Sequence, residues 1–162
     1  MDRHEIDLTV NGRAVQAWVN PNLSLLELLR TEAGATEVKL GCGEGVCGTC
    51  TVLLDGEPVN ACLMFAVQAD GGAVTTVRGL AAEGGLHPLQ QSFLDHGGSQ
   101  CGFCTPGMLL TSHWYLERRP EANREELRAA LAGNLCRCTG YTKILDAVEA
   151  YRDGREEGSV VD

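Results

Sequence analysis

The chain has 162 residues, a hydrophobic fraction of 44% and a formal net charge of −9. This length allows one domain or two small ones, and the acidic excess argues against a nucleic-acid partner, which requires a basic face. The first residues lack the apolar core of a secretory signal, and no apolar run approaches the length of a membrane helix, so we expect a cytoplasmic chain without membrane insertion.

The first elements predict a small sheet with one helix. Apolar and polar residues alternate over 5–10, which indicates a half-buried strand. The Asn-Gly pair at 11–12 predicts a hairpin turn into a second strand around 15–19. Ser24 and Glu27 then form the capping-box pattern that opens a helix.

The next segment, Leu40–Cys50, is a glycine-rich loop with three cysteines. Cys42, Cys47 and Cys50 follow the spacing C-x4-C-x2-C, and Cys62 supplies a fourth thiol. This is the spacing of plant-type [2Fe–2S] proteins. Glycine permits positive φ and close approach of N–H groups to sulfur, and we expect this role for four glycines of the cluster loop: Gly41, Gly43, Gly45 and Gly48.

Further strands complete the first domain. A hairpin is predicted over 51–62, with its turn at 55–56, and a closing strand over Ala73–Val77. Several strands with one helix predict an α+β domain of the ubiquitin-like, β-grasp kind over residues 1–78. Residues 79–86, rich in glycine and alanine, are expected to be a linker.

The second half, residues 87–162, has a helical pattern. Four helices are predicted to begin near Pro88, Thr105, Asn123 and Thr142, with Thr105 as an N-cap, and to form a small bundle. The fourth helix is expected to run through Tyr151 and to be followed by a short acidic tail.

Four more cysteines lie just before two of these helices: Cys101, Cys104, Cys136 and Cys138. A helix N-terminus favours thiolate, so these four sulfurs can surround one metal centre if the helix starts pack together. Structural zinc remains an alternative for this set, although a Cys-x-Cys pair is unusual for zinc. Disulfides are not expected in a reducing compartment, and a Rieske centre is not expected because no histidine has ligand spacing.

The two motifs together resemble the iron–sulfur subunit of the molybdenum hydroxylases, the xanthine dehydrogenase and aldehyde oxidoreductase family. The matching stretches are residues 41–50, 100–108 and 134–141, and the resemblance covers about residues 4–152. It implies a ferredoxin-like domain with one [2Fe–2S] cluster, followed by a four-helix domain with a second.

The resemblance also implies partner chains: a large subunit with a molybdopterin cofactor and a medium subunit with FAD, as a heterotrimer or a dimer of heterotrimers. Electrons would pass from molybdenum to the helical-domain cluster, then to the ferredoxin-like cluster and FAD. Gln100 and Cys138 would contact the pterin. This chain would carry no substrate site and no catalytic residue of its own, and the substrate of the complex would be an N-heterocycle or an aldehyde.

Two other functions are compatible with eight metal-binding cysteines. One is a free-standing two-cluster ferredoxin, which would run alone on purification. The other is an interaction module stabilised by zinc, which metal analysis would identify.

Overall fold

The computed structural model describes residues 3–81 and 85–158 and has a mixed α+β fold, as predicted. The first half contains a sheet of five strands: β1 His4–Val10, β2 Arg13–Val19, β3 Thr51–Leu54, β4 Glu57–Asn60 and β5 Ala73–Thr75. The strand order is β2-β1-β5-β3-β4. β1 pairs in parallel with β5, and the other neighbouring strands are antiparallel.

Helix α1, Leu25–Thr31, packs on this sheet. Ser24 and Glu27 form the predicted capping box, and all four leucines of the helix are buried. They join the inward-facing residues of β1, β2 and β3 in one apolar cluster, which also contains Cys50. Cys50 thereby lies at the boundary between this core and the cysteine loop that precedes β3.

Between residues 85 and 158 the second half contains four α-helices: α2 Pro88–Asp95, α3 Thr105–Arg118, α4 Arg124–Ala130 and α5 Thr142–Gly158. They surround a separate apolar cluster that includes Phe93, Met108, Leu127 and Ile144. Each half of the chain thus has its own core. No helix in the described parts of the chain is long and apolar enough to cross a membrane.

Three predicted boundaries differ from the structure. Thr105 is the first residue of α3 and not its cap, because Cys104 occupies the cap position. The closing strand ends at Thr75, since Val77–Leu80 forms a 3-10 turn. Helix α5 continues past Tyr151 to Gly158, where a short acidic tail was expected.

The predicted linker is only partly described. Residues 82–84 lie outside the described residues, as do 159–162 of the predicted tail and the first two residues of the chain. The start of the linker packs on the first half, because a Cβ on Gly79 would collide with the Asn11 side chain at the β1–β2 turn. Asn11 in turn exchanges hydrogen bonds with Thr76.

Candidate metal centres

The loop between α1 and β3 is shaped by its glycines. Gly43, Gly45 and Gly48 have φ of 73°, 72° and 64°, in the left-handed region that favours glycine. Gly41 is needed for a different reason: a Cβ there would lie 2.8 Å from the sulfur of Cys47. The predicted role of these residues in a tightly folded cysteine loop therefore agrees with their geometry.

The first four sulfurs are neighbours in two pairs, Cys42 with Cys47 and Cys50 with Cys62, and within each pair one thiol affects the pKa of the other. The backbone N–H of Glu44 donates to Cys42 Sγ at 3.3 Å. This bond, followed by bonds from Cys47 and Val46, lowers the pKa of Cys42 to about 6. Burial raises the pKa of Cys50 to about 12, so this thiol needs a positive ion beside it to lose its proton near neutral pH.

Asn60 fastens the cysteine loop to the sheet. Its side-chain amide donates to the carbonyl oxygen of Gly45 at 3.0 Å, and its Oδ1 lies 4.0 Å from Cys50 Sγ. Because Asn60 ends β4 and Cys62 follows shortly after, the hairpin brings the fourth thiol to the loop as predicted.

The second four sulfurs also form two pairs. Cys101 Sγ and Cys138 Sγ are 3.5 Å apart, and Cys104 contacts Cys136. Cys104 caps α3, and Cys136 and Cys138 shortly precede α5, so both pairs combine one sulfur from each helix start. The structure therefore unites the four cysteines that were expected to meet at these helix starts.

In each pair of the second set, the pKa of one thiol is lowered and the pKa of the other is raised. The backbone N–H of Phe103 lowers the pKa of Cys101, whereas the contact with Cys101 raises the pKa of Cys138. Burial raises the pKa of Cys104 to about 12. Burial would also raise the pKa of Cys136, but hydrogen bonds from Thr139 outweigh it and lower this pKa. This is expected of two neighbouring thiols, because the negative charge on the thiol that ionises first raises the pKa of the other.

Backbone and hydroxyl groups support the second set. Thr139 directs its N–H and its hydroxyl at Cys136 Sγ, at 3.5 and 3.1 Å. The Tyr141 hydroxyl accepts from the backbone N–H of Cys136 at 3.0 Å and donates to the carbonyl oxygen of Asn134 at 3.1 Å. These contacts fix the loop that carries Cys136 and Cys138.

The donor sets fit two-iron clusters. Four cysteine thiolates bind a [2Fe–2S] cluster, two on each iron, and both sets here consist of two sulfur pairs. In the described residues, no three cysteine, histidine or acidic side chains converge on one point as ligands of a single ion. All eight cysteines are described, and all are free thiols. A single-ion zinc site therefore fits less well than a cluster with two irons.

The two sets differ in what surrounds them at the surface. Around the first loop, apolar side chains are exposed at Leu40, Val46, Leu63 and Phe65. At the second set, Gln100, Cys101 and Cys138 are exposed, and Phe103 and Leu135 lie nearby with about half of their surface accessible. Gln100 thus stands at the rim of the second set, where a partner can reach it.

Sequence reasoning missed two residues that connect the sets. Asn134 begins the matching stretch 134–141. Its contacts with Gly48 and Thr51 join positions that are too far apart in the chain for a sequence pattern to reveal. Lys39 donates to the carbonyl oxygen of Gly102 at 3.3 Å and lies 5.4 Å from the centre of the Phe103 ring. No sequence signal distinguishes this lysine from a solvent-exposed one.

Comparison with known proteins agrees with the two cysteine sets. Residues 8–76 match the family model of the 2Fe-2S iron-sulfur cluster binding domain, and residues 76–149 match that of a [2Fe-2S] binding domain. The nicotinate dehydrogenase small FeS subunit of Eubacterium barkeri is 49% identical over 91% of this chain and 94% of its own. The caffeine dehydrogenase subunit gamma of Pseudomonas sp. (strain CBB1) is 46% identical over 93% and 92%.

A solved structure has the same fold. A chain of quinoline 2-oxidoreductase from Pseudomonas putida 86 superposes with a TM-score of 0.91 at 44% identity, covering 99% of this chain and 100% of that one.

Proposed function

This chain belongs to the iron–sulfur subunits of the molybdenum hydroxylase family, and we propose from that premise that its two sets of four cysteines hold the two clusters. The first cluster would be held by Cys42, Cys47, Cys50 and Cys62, and the second by Cys101, Cys104, Cys136 and Cys138. The observation that carries this assignment is that cysteines from two separate helix starts meet in the second set, where the sulfurs of Cys101 and Cys138 lie 3.5 Å apart.

The chain is an electron-transfer subunit. When bound, [2Fe–2S] clusters accept and release single electrons, which lets the chain connect a molybdopterin centre on one partner with FAD on another. The residues around the sulfurs affect how easily each cluster would be reduced. N–H donors to Cys42 and Cys136 stabilise negative charge on sulfur, and such bonds favour the more negative, reduced state.

Two domains correspond to the two sets in our proposal: a β-grasp, ferredoxin-like domain over 1–78 and a four-helix domain over 87–162, with 79–86 between them. The separate apolar cores support this division, although Val77–Leu80 packs as a short turn at the boundary.

We assign the face of the second set to the large, molybdenum-binding partner. Gln100 and Cys138 are exposed there, which makes both available for the pterin contacts that the resemblance implies. The apolar side chains around the first loop would contact the medium, FAD-binding partner. The complex would be a heterotrimer or a dimer of heterotrimers, and eight cysteines with no disulfide among them agree with a reducing, cytoplasmic location.

The alternatives are less favoured. The relatives are named as subunits of dehydrogenases, which argues against a free-standing ferredoxin. Paired sulfurs and two cluster-binding domains argue against a zinc-stabilised module. Since nicotinate, caffeine and quinoline are all N-heterocycles, we extend the proposal to an N-heterocyclic substrate, bound on the large partner.

Gentle purification of the tagged chain from its native host tests the function. We expect two larger chains to co-purify, together with molybdenum, flavin, and about four iron atoms and four acid-labile sulfides per small chain. Isolation of the chain alone in a cluster-loaded form would instead support the free-standing ferredoxin, and a colourless preparation with stoichiometric zinc would support the zinc module. Oxidation of an aldehyde but not of nicotinate by the purified complex would contradict the substrate class alone.

A further inference from the structure

A backbone hydrogen bond joins the two cysteine loops. The N–H of Leu135 donates to the carbonyl oxygen of Cys47 at 2.8 Å. Cys47 belongs to the first set, and Cys136 of the second set follows Leu135 directly. A path of covalent bonds and one hydrogen bond therefore runs from the sulfur of Cys47 to the sulfur of Cys136.

The side chain of Asn134 holds this junction in place. Asn134 is only 4% exposed, and its Nδ2 donates to the carbonyl oxygen of Gly48 at 3.0 Å and to Thr51 Oγ1 at 3.3 Å. The Thr51 hydroxyl also donates to the carbonyl oxygen of Gly48, at 2.6 Å. A buried amide is costly to leave without partners, so these bonds strongly favour a single arrangement of the two loops.

Asn134 is anchored on the other side by its main chain. Its carbonyl oxygen accepts from the Tyr141 hydroxyl, which also accepts from the N–H of Cys136. The side chain of Asn134 thus contacts the first cysteine loop, while its backbone belongs to the second. Asn134 therefore connects the two cysteine loops through its side chain and its main chain.

Two glycines allow the close approach. A Cβ on Gly48 would collide with the carbonyl oxygen of Gly133 and lie 2.6 Å from Asn134 Nδ2. A Cβ on Gly107, in the first turn of α3, would collide with the carbonyl oxygen of Gly48. The first cysteine loop can therefore pack closely against Asn134 and against α3 only because Gly48 and Gly107 lack a side chain.

We propose that Asn134 is a positioning residue that locks the two cysteine loops together and thereby fixes the distance between the two sets of four cysteines. This inference rests on the proposed function, because it requires a cluster in each set. In this proposal Asn134 does more than stabilise the fold, because it sets the relative position of the two one-electron centres.

A second contact between the halves supplies the control. Glu57 of β4 accepts hydrogen bonds from Arg118 and Trp114 of α3. The side chains of this pair are exposed, at 60% for Glu57 and 45% for Arg118, and neither belongs to a cysteine loop. Glu57→Ala therefore removes bonds between the halves without disturbing the junction at Asn134.

The test compares Asn134→Asp, Gly107→Ala and Glu57→Ala in the intact complex. Asn134→Asp keeps the size of the side chain but removes the N–H donor. Gly107→Ala displaces the carbonyl oxygen of Gly48, which accepts from Asn134. Freeze-quench EPR after rapid reduction by substrate follows the electron from the signal of the second set to that of the first. We expect this transfer to slow by about tenfold in the first two variants, with unchanged iron content, and to keep its wild-type rate in Glu57→Ala.

Amide exchange gives a readout independent of electron transfer and of cluster loading. The Leu135 N–H should exchange slowly with deuterium in the wild type and in Glu57→Ala, and faster in Asn134→Asp. Wild-type transfer rates in both junction variants, or rapid exchange of Leu135 in the wild-type complex, would overturn the inference. A wild-type complex without two cluster signals would instead refute the proposed function, so the two failures are distinguishable.

Discussion

The sulfur atoms of Cys101 and Cys138 lie 3.5 Å apart, although 37 positions separate them in the chain. Cys101 precedes α3 and Cys138 precedes α5, so the helical half must fold before these sulfurs can meet. The four cysteines of the second set are therefore brought together by helix packing, whereas three cysteines of the first set lie on one loop.

Replacing Cys138 tests whether the two sets hold separate clusters. Cys138→Ser removes one of four sulfurs from the second set and leaves the first set intact. We expect iron to fall from about four to about two atoms per chain, with loss of one EPR signal. Cys42→Ser is the matched variant and should remove the other signal. Loss of the same signal in both variants would contradict the assignment of ligands.

Gly41 tests the packing of the first loop. In Gly41→Ala the new Cβ would lie 2.8 Å from the sulfur of Cys47, so the thiol must move from its position beside Cys42. We expect loss of the first cluster with retention of the second, measured by iron content and EPR. Gly154→Ala is the control, since a Cβ there meets no atom within 4 Å, and it should retain both signals. Full loading of Gly41→Ala would show that the loop has more room than the structure indicates.

Replacing Tyr141 tests whether its hydroxyl stabilises the loop that carries Cys136 and Cys138. Tyr141→Phe leaves the N–H of Cys136 and the carbonyl oxygen of Asn134 without this partner, at a cost of about 1–3 kcal/mol. We expect the second cluster to lose iron to a chelator faster than in the wild type, while the first cluster is unaffected. Tyr115→Phe, in the apolar core of the helical half, is the control. Equal rates of iron loss from both clusters in Tyr141→Phe would argue against this role.

Two half-buried histidines predict a pH dependence of stability. His87 and His113 lie with ring centres 5.1 Å apart, and burial lowers the pKa of both below 6.5. For His113, Glu117 acts against this shift and Arg155 adds to it. The unfolded chain therefore binds protons at a higher pH than the folded one, and stability falls as the pH decreases below about 6.5.

Thermal unfolding of the helical half at a series of pH values measures this effect. The midpoint should show no histidine-dependent change above pH 7 and should decrease as the pH falls from about 6.5. His113→Gln should reduce the decrease, whereas His4→Gln, on the exposed start of β1, should not. The same decrease in His113→Gln as in the wild type would exclude this histidine as its source.

Local patterns predicted much of the fold. The capping boxes at Ser24 and Asn123, and the turn residues Asn11 and Asp55 with their positive φ, depend only on near neighbours and were visible in the sequence. The end of α5 was not. Beyond Tyr151 the helix is held by Arg155 pairing with Glu117 and by Arg152 donating to the carbonyl oxygen of Ala122. Glu117 lies on α3 and Ala122 lies in the loop between α3 and α4, so neither contact can be read from the sequence of α5 itself.

The same distinction applies to the metal centres. Spacing predicted a [2Fe–2S] site for the first set because three of its cysteines share one loop, and it left zinc open for the second because that set depends on how two helices meet. Asn134 could not be recognised as a link, since its partner Gly48 lies 86 positions away. The resemblance to a known family supplied the partners and the direction of electron flow, which no pattern within this chain contains.

EPR spectroscopy of the reduced complex, combined with metal analysis, tests the central claim most directly. Two bound [2Fe–2S] clusters predict two distinct reduced signals, each integrating to about one spin per chain, with about four iron atoms and four sulfides. One signal with half of that iron, or zinc in place of iron, would contradict the account.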